Sequence, residues 1–422
     1  MLTDAEQSDS HSHSCRMKIL LLSQWYPPEP MKLLSDMTEA LVGMGHEVTV
    51  LTGFPNWPTG RIYTGYRQRL VQRETVNGVR IIRIPLYPDH SGNAFRRAAN
   101  FLSFALAAAV LGPFLVPQVD VMHVIHPPIT VGFPAWVLSR LRGFPFTLEI
   151  QDMWPENLRA TGMLRNESAL RLIGAFARWV YSKASFVRVI SPGFRLNLLS
   201  KGVPDEKIRV ISNWVDTEYY RPTARSPELL DRFGMRGRFN ILYAGTIGLA
   251  QGLDVVLDAA AQLQLSLPEA QFVLAGDGVE SYRLGREAEI RGLTNVRFLG
   301  RLPGDMMPAL YACADVLMLH LRADPLFSIT VPHKLFTYMA AGKPILVGGV
   351  GDSVSLVTES KAGLVSPPGN PEALARAVAA LHQMSPEERA TMGRNGRGLA
   401  CQTYSRGHLV GELFHLVEAA VN

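Results

Sequence analysis

The chain has 422 residues, of which 47% are hydrophobic and 19% are charged, and its formal net charge is +5. At roughly 150 residues per domain, this length and apolar content predict two domains with large cores. The three cysteines, Cys15, Cys313 and Cys401, lie far apart. Their spacing argues against a disulfide framework and a zinc site, and it favours a reducing, cytoplasmic compartment.

Basic residues are concentrated in the first half of the chain. Residues 17–209 contain 22 Lys and Arg against 13 Asp and Glu, whereas residues 210–422 contain 19 against 21. This asymmetry indicates an anionic partner, either membrane headgroups or a phosphate-bearing substrate, or else a solvated basic face. We predict no nucleic-acid partner.

The order of apolar runs and helical stretches predicts two doubly wound α/β domains. Residues 1–16 are polar and lack the apolar core of a signal peptide, so we predict a disordered N-terminal extension outside the fold. Short apolar runs alternate with helical stretches over residues 17–205 and again over 206–400, as in parallel sheets covered on both faces. Residues 401–422 predict a terminal helix that packs back on the first domain.

Strand boundaries follow from the same runs. In the first domain we expect strands at 18–23, 47–52, 80–85, 119–125, 146–150 and 185–190. In the second we expect them at 239–244, 271–276, 296–299, 315–319 and 344–347. The loops that follow these strands meet at one edge of each sheet, which is where open α/β folds bind ligands.

Residues 101–116 form the most apolar stretch of the chain. The stretch is shorter than the roughly 20 residues of a spanning helix, and a glycine and a proline at 112 and 113 interrupt it. Three interpretations stay open: a core helix, a helix in a membrane interface with Arg96 and Arg97 at the headgroups, or a true membrane span. The second interpretation predicts lipid contact by Phe101, Phe104 and Leu111.

Two glycine loops follow predicted strands in the second half. The backbone N–H groups of such loops can approach phosphate oxygens, and a helix that begins there favours their charge. The alternatives are tight turns that need glycine for packing and, for the aspartate, a helix cap. The candidate residues are Gly245, Thr246 and Gly248 in the first loop, and Gly276, Asp277 and Gly278 in the second.

A lysine two residues after a proline is the strongest single candidate for a phosphate-binding residue. Pro332 is expected at the start of a helix, so His333 and Lys334 would lie in its first turn, after a strand end. We interpret Lys334 as the main phosphate-binding residue, because exposed N–H groups and an ammonium group would face the same anion. The alternative is an exposed surface lysine.

The first domain offers polar residues at strand ends. His126 ends a predicted strand before two prolines and is expected in a cleft, although a lone histidine is more often a satisfied core group. With His123 it lacks a third metal ligand, so we predict no metal site. Asp152 and Glu156 are acceptor-side candidates with helix capping as the alternative, and Glu29 is a third candidate, in a proline-rich loop.

Four stretches together resemble the WbuB-like branch of the retaining family 4 glycosyltransferases: 150–156, 243–253, 276–278 and 331–344. The resemblance implies the GT-B fold, in which two Rossmann-like domains face across a cleft. A nucleotide-sugar donor would bind the second domain and an acceptor the first. It implies that Lys334 neutralises the leaving diphosphate and that His126 contacts the transferred sugar, which makes these the two predicted catalytic residues.

The resemblance also implies donor contacts by both glycine loops, Pro332 and His333, with no metal and no cofactor besides the nucleotide-sugar substrate. In this branch, UDP-linked N-acetylated or deoxy sugars and lipid-linked saccharide acceptors are common. The implied setting is surface polysaccharide assembly, such as O-antigen or capsule, by a cytoplasmic enzyme bound peripherally to the inner membrane.

The sequence departs from the broader family at two places. Two glutamates eight positions apart are replaced by Ile329 and Thr337, and a lysine of the first glycine loop is replaced by Gln251. Two other interpretations stay open: a nucleotide-sugar epimerase of the same shape, which needs neither acceptor nor membrane, and a non-catalytic partner in a polysaccharide pathway.

Overall fold

The computed structural model describes residues 16–421, which fold into two α/β domains, each built on one largely parallel sheet. The predicted fold class is confirmed. The predicted N-terminal extension lies, apart from Arg16, outside the described residues.

The first sheet has eight strands in the order β3-β4-β2-β1-β5-β6-β7-β8. All neighbours are parallel except β3, which runs antiparallel to β4. The central strands are buried along almost their whole length, which explains their continuous apolar runs. The strands are β1 (Lys18–Leu22), β2 (Glu47–Gly53), β3 (Gln72–Val76), β4 (Val79–Ile84), β5 (Val121–His126), β6 (Phe146–Ile150), β7 (Val187–Val189) and β8 (Ile208–Val210).

Helices cover both faces of this sheet and two 3₁₀ turns connect them to strands. The turns span Ile129–Val131 and Asp205–Lys207. The helices are α1 (Lys32–Gly43), α2 (Ala94–Leu115), α3 (Gly132–Arg142), α4 (Glu156–Ala160), α5 (Glu167–Lys183) and α6 (Pro192–Ser200).

The second sheet has six parallel strands in the order β11-β10-β9-β12-β13-β14. They are β9 (Phe239–Ala244), β10 (Ala270–Ala275), β11 (Val296–Gly300), β12 (Val316–His320), β13 (Ile345–Gly348) and β14 (Gly363–Ser366). Two 3₁₀ turns span Leu249–Gln251 and Gly304–Met306. The helices are α7 (Pro227–Arg232), α8 (Asp254–Ser266), α9 (Ser281–Ile290), α10 (Met307–Cys313), α11 (Pro325–Ser328), α12 (His333–Ala340), α13 (Asp352–Glu359), α14 (Pro371–Gln383), α15 (Pro386–Gln402) and α16 (Arg406–Ala419).

The first domain extends beyond the predicted boundary between residues 205 and 206. Strand β8 pairs with β7 and so belongs to the first sheet. The predicted boundary therefore assigned β8 to the wrong domain. Strand β8 has three residues, of which only Ile208 is buried, so no apolar run marks it. The polar edge strand β3 was missed for a related reason, because most of its side chains are exposed and none marks a buried face.

The chain crosses between the domains twice. Trp214 belongs to the core of the first domain and Val215 to that of the second. The return crossing lies beside it, because Val215 N–H donates to the Tyr404 carbonyl and Arg406 N–H to the Val215 carbonyl. Helix α16 then packs its apolar side against α1 in the first domain. The predicted terminal segment 401–422 begins inside α15, so its start was wrong by a few residues.

Helix α2 is longer than the apolar stretch predicted. It spans 22 residues and, among residues 16–421, is the one helix that meets a length and hydropathy test for membrane spanning, a test that buried core helices also meet. One side packs against α3 and the sheet, where Phe104 is fully buried. The opposite side exposes a line of large apolar side chains: Phe95, Leu102, Leu106, Val110 and Phe114.

This orientation corrects the predicted lipid contacts. Phe101 and Phe104 are buried and Leu111 packs against the core, so these three face the protein. Arg97 is also half-buried, whereas Arg96 is exposed. The three residues do share one side of the helix. The sequence alone did not tell which of the two apolar sides of the helix would pack against the sheet.

A buried ion pair holds the first crossing in place. Arg188 on β7 pairs with Glu149 on β6, and its guanidinium also donates to the carbonyls of Ile211 and Ser212. Burial alone would raise the pKa of Glu149, but Arg188 and His123 hold it at about 2. The crossing segment is therefore tied to the core of the first sheet by charge-assisted hydrogen bonds.

We expect Arg188→Leu to lower the thermal unfolding temperature by about 10 °C, because it leaves the Glu149 carboxylate buried without its partner. The matched control is Arg195→Leu, which removes an exposed pair with Asp205 and should cost at most about 1 kcal/mol. Differential scanning calorimetry measures both. Equal decreases in unfolding temperature would show that the buried pair contributes no more stability than the exposed pair.

Candidate active site

The loops after the strands of one domain contact the loops after the strands of the other. Ser191, after β7, donates its hydroxyl to the Ile329 carbonyl at 2.6 Å, and Asp352, the first residue of α13, accepts from Gly193 N–H at 2.8 Å. Leu326 and Phe327 of α11 are part of the first domain's hydrophobic core. The carboxyl edges of the two sheets therefore face each other, as the location of sites in open α/β folds requires.

The two glycine loops pack backbone against backbone. Gly245 N–H donates to the Ala275 carbonyl and Ile247 N–H to the Asp277 carbonyl. A Cβ on Gly276, whose φ is +148°, would lie 1.8 Å from the Gly245 carbonyl oxygen. Only glycine permits this approach, so the loops form one continuous backbone surface at the ends of β9 and β10.

Lys334 lies directly beside the first of these loops. Its Nζ donates to the Tyr243 hydroxyl at 2.7 Å and lies 4.0 Å from the centre of the Tyr243 ring. A Cβ on Gly245 would come within 2.5 Å of this nitrogen. Burial lowers the pKa of Lys334 to about 7. Its neighbours are a phenol ring and loop backbone, and no carboxylate among residues 16–421 pairs with it, so the ammonium group is desolvated without compensation.

The other donor-side candidates lie around this ammonium group. Pro332 is the N-cap residue of α12, one position earlier than predicted, and half-buried His333 hydrogen-bonds the Trp214 carbonyl at the domain crossing. Thr246 and Asp277 are exposed, and the Asp277 carboxylate accepts from Gly278 N–H at 2.8 Å. Gly248 N–H donates to the side chain of Gln251.

His126 is fully buried at the end of β5. Neither ring nitrogen has a hydrogen-bond partner among the described residues, and the ring packs edge-on against Trp154 at 5.6 Å. Burial lowers the pKa of His126 to about 3. The imidazole is thus neutral near pH 7, which suits it to hydrogen bonding with a hydroxyl and makes it a weak proton acceptor.

Asp152 and Glu156 differ in their surroundings. Burial raises the pKa of half-buried Asp152 to about 6. Glu156 begins α4 and pairs with Lys201 at 2.7 Å, while its second carboxylate oxygen is buried and unpaired. Asp152 therefore has no cationic partner among the described residues, whereas Glu156 already neutralises a lysine and keeps one oxygen unpaired.

Glu29 is a structural residue, contrary to its prediction as an acceptor contact. Its carboxylate is buried and accepts from the backbone N–H groups of Tyr26, Asn56 and Trp57 at 2.8–3.0 Å. Burial raises its pKa to about 7. The side chain joins the loops after β1 and β2 and has no acceptor capacity directed at a substrate.

Among residues 16–421, no group of three or more His, Cys, Asp or Glu is arranged to hold a metal ion. A lysine of the first domain, Lys32 in the first turn of α1, lies near the start of α12. Burial is the main cause of the lowered pKa of His333, and the charge of Lys32 lowers it further.

Comparison with known proteins agrees with this geometry. Residues 32–214 match the family described as a glycosyl transferase 4-like domain, and residues 234–399 match glycosyl transferases group 1. The probable glycosyltransferase WbjE of Pseudomonas aeruginosa is 30% identical over 66% of this chain and 68% of its own length. The chain is a family 4 glycosyltransferase.

Two further similarities extend over more of the glycosyltransferase. The putative colanic acid biosynthesis glycosyl transferase WcaI of Escherichia coli is 27% identical over 77% of this chain and 82% of the relative. The structure of Anabaena HepE in complex with UDP superposes with a TM-score of 0.73 at 18% identity, over 96% of this chain and 100% of HepE. The GT-B fold is therefore confirmed.

Several residues of the glycosyltransferase site were missed. Tyr243 and Tyr338 hold the first glycine loop, because the Tyr243 hydroxyl donates to the Thr246 carbonyl and the Tyr338 hydroxyl bonds the backbone of Ala244. Buried tyrosines in apolar strands and helices look like ordinary core residues in a sequence. Asp352 and Lys201 were missed because their partners are distant in the chain.

The structure also explains the departures from the family's pattern. Ile329 packs against the first domain's core, and Thr337 donates its hydroxyl to the Lys334 carbonyl within α12. Gln251 closes its own loop through Gly248. All three side chains have structural partners, so the glycosyltransferase does not recognise its donor through carboxylates at 329 and 337.

We expect Gly276→Ala to destabilise the second domain by about 1–3 kcal/mol or more, because its Cβ would overlap the Gly245 carbonyl. The control is Gly285→Ala, whose Cβ would meet no atom within 4 Å on helix α9 and should stabilise by up to about 1 kcal/mol. Thermal unfolding compares them. A neutral Gly276→Ala variant would contradict the close packing of the loops.

Proposed function

We propose that the enzyme transfers a sugar, N-acetylated or deoxy, from a UDP-sugar to a lipid-linked saccharide, with retention of configuration and without a metal. The setting is surface polysaccharide synthesis at the cytoplasmic face of the inner membrane. The observation that carries the proposal is Lys334, a desolvated ammonium group without a carboxylate partner, placed beside a backbone surface built for close approach.

The chemistry of glycosyl transfer explains why such a group is needed. Breaking the bond between the sugar and the diphosphate leaves negative charge on the diphosphate, and pre-organised cations and N–H groups stabilise that charge. Lys334 and the amides of the two glycine loops supply both. The proposal therefore assigns to protein groups the role that a divalent cation would otherwise fill.

His126 and Asp152 are proposed on the sugar and acceptor side. Neutral His126, with both nitrogens unsatisfied, would hydrogen-bond a hydroxyl of the transferred sugar. Asp152, two residues beyond β6, would accept a hydrogen bond from the acceptor hydroxyl. Support for UDP comes from the structural neighbour HepE, which was crystallised with UDP, and support for polysaccharide synthesis comes from the name of the relative WcaI.

The exposed side of α2 supports membrane association. Its apolar side chains are accompanied by the excess of basic residues in the first half of the chain. Apolar insertion and attraction to anionic lipids together give stable but reversible binding, whereas one alone gives weak binding. The second domain would remain in the cytoplasm with the donor.

Nucleotide binding tests the donor side. We expect UDP to raise the unfolding temperature of the protein more than GDP or ADP does, since a ligand that binds only the folded state stabilises it. Lys334→Ala should lose this shift and lower turnover by about 10²–10³-fold. The control is Lys343→Ala, which removes another buried lysine whose Nζ bonds the carbonyls of Ala312 and Ala314.

Lys343→Ala should unfold at a lower temperature than Lys334→Ala and still respond to UDP. If no nucleotide shifts the wild type, or if both lysine variants respond equally, the assignment of Lys334 to a diphosphate is wrong. No shift with any nucleotide would favour the non-catalytic interpretation.

The pKa of Lys334 predicts how UDP affinity depends on pH. In the free protein the group loses its proton as pH rises through about 7, whereas a bound diphosphate favours the charged form. The affinity should therefore fall by up to about tenfold per pH unit above pH 7, where the phosphate, with a second pKa of about 6, is already ionised.

Isothermal titration calorimetry at pH 8, in buffers of different ionisation enthalpy, measures the proton taken up on binding. In Lys334→Arg the guanidinium stays charged, so any affinity that remains should lose this pH dependence and the proton uptake. The same uptake in both proteins would assign the titration to another group.

Membrane binding tests the location. We expect Phe95→Ser with Phe114→Ser to lower binding to phosphatidylcholine–phosphatidylglycerol vesicles at least tenfold, since each buried phenylalanine contributes about 1.5–3 kcal/mol. The two side chains are 89% and 85% exposed, so the fold should tolerate the change. The control is Leu265→Ser with Val279→Ser, at residues 89% and 82% exposed on the second domain. Equal loss in co-sedimentation would contradict docking through α2.

A further inference from the structure

A wide apolar groove opens on the first domain between α2, the start of α3 and α5. Its volume is about 750 Å³, within the range of about 300–1,000 Å³ that is typical of ligand sites. Eleven of its twelve lining residues are apolar, and the hydroxyl of the twelfth, Thr130, is directed at the Phe101 carbonyl. The groove therefore offers contact area to an apolar ligand and no hydrogen bond.

The inner wall of the groove is the outer wall of the active site. Trp154 lines the groove and packs edge-on against Phe101 at 5.9 Å and against the unsatisfied ring of His126 at 5.6 Å. The outer rim includes Leu102 and Leu106, which belong to the exposed side of α2 proposed to contact the membrane. The groove thus connects the membrane-facing surface with the site of transfer.

A cation lies on α2 beside the groove, although it is not one of the lining residues. Arg97 precedes Phe101 by one helical turn on α2, so the two side chains share a side of the helix. The Nε of Arg97 is buried without a hydrogen-bond partner, and burial lowers the pKa of the guanidinium, an effect that only Asp89 partly offsets. An uncompensated half-buried guanidinium favours a phosphate, which it can bind through two hydrogen bonds.

We propose that this groove binds the isoprenoid chain of the lipid-linked acceptor and that Arg97 binds the phosphate next to the chain. The inference rests on the proposed function and adds the site that holds the lipid. An apolar chain that carries its charge at one end matches an apolar groove with a cation just beyond its lining. The saccharide beyond the phosphate would then lie beside Trp154 and His126.

Farnesyl diphosphate is a suitable soluble probe, and equilibrium dialysis of the radiolabelled compound measures its affinity for the full-length protein. Ala98→Trp should lower the affinity at least tenfold by filling the groove, whereas Ala99→Trp, at the adjacent exposed alanine outside the lining, should not. Arg97→Gln should lower the affinity for farnesyl diphosphate at least tenfold and the affinity for farnesol less than twofold. The exposed neighbour Arg96→Gln is its control.

The location and the chain type are tested separately. A benzophenone analogue of farnesyl diphosphate should cross-link to peptides of α2 and α5, as mapped by mass spectrometry. Cross-links confined to other elements, or equal effects of Ala98→Trp and Ala99→Trp in variants with unchanged unfolding temperature, would overturn the proposal. Equal binding of tetradecyl phosphate would identify a general acyl-chain site and overturn the isoprenoid assignment.

UDP binding in the same variants separates this inference from the proposed function. If UDP still stabilises the protein but farnesyl diphosphate does not bind, the groove assignment fails and the donor assignment stands. If farnesyl diphosphate binds in the groove but no nucleotide does, the groove stands as a lipid site and the proposed transfer fails.

Discussion

The desolvated ammonium group of Lys334 is the constraint on which the site depends. Desolvating a cation without a carboxylate partner lowers the folding stability of the ligand-free protein, and contacts in the surrounding structure offset this loss. Tyr243 orients the nitrogen, Tyr338 fixes the strand beneath it, and the glycines at 245 and 276 bring backbone amides close. A residue that is unfavourable for folding thus marks where an anion is expected to bind.

The two domains divide the work according to charge and polarity. The second domain provides the cation and the loop amides, whereas the first provides a neutral histidine, a carboxyl group with a raised pKa and a large apolar surface. This division explains the charge asymmetry of the sequence better than a single phosphate site does. Arg96 and Arg97 lie on α2 beside its apolar side chains, where an anionic lipid surface or an acceptor phosphate would use them.

Much of the fold could be predicted from the sequence because buried parallel strands are continuous apolar runs with few alternatives. Strands β3, β8 and β14 could not, since β3 is polar and each of the other two has a single buried residue. The glycine loops and Lys334 were recognisable by their position after strands. The structural role of Glu29 was not recognisable, because two of its three backbone N–H partners are separated from it by 27 and 28 positions in the chain. The orientation of α2 also depends on tertiary packing.

The paired crossings between the domains have a mechanical consequence. Two segments of chain, at Val215 and at Tyr404–Arg406, run side by side and are joined by backbone hydrogen bonds. Two adjacent connections would restrict any movement of the domains mainly to rotation about one axis. His333 bonds the carbonyl next to this axis, so the start of α12 would move least during opening and closing. A phosphate held there would keep its alignment while the far rim of the cleft admits and releases sugars.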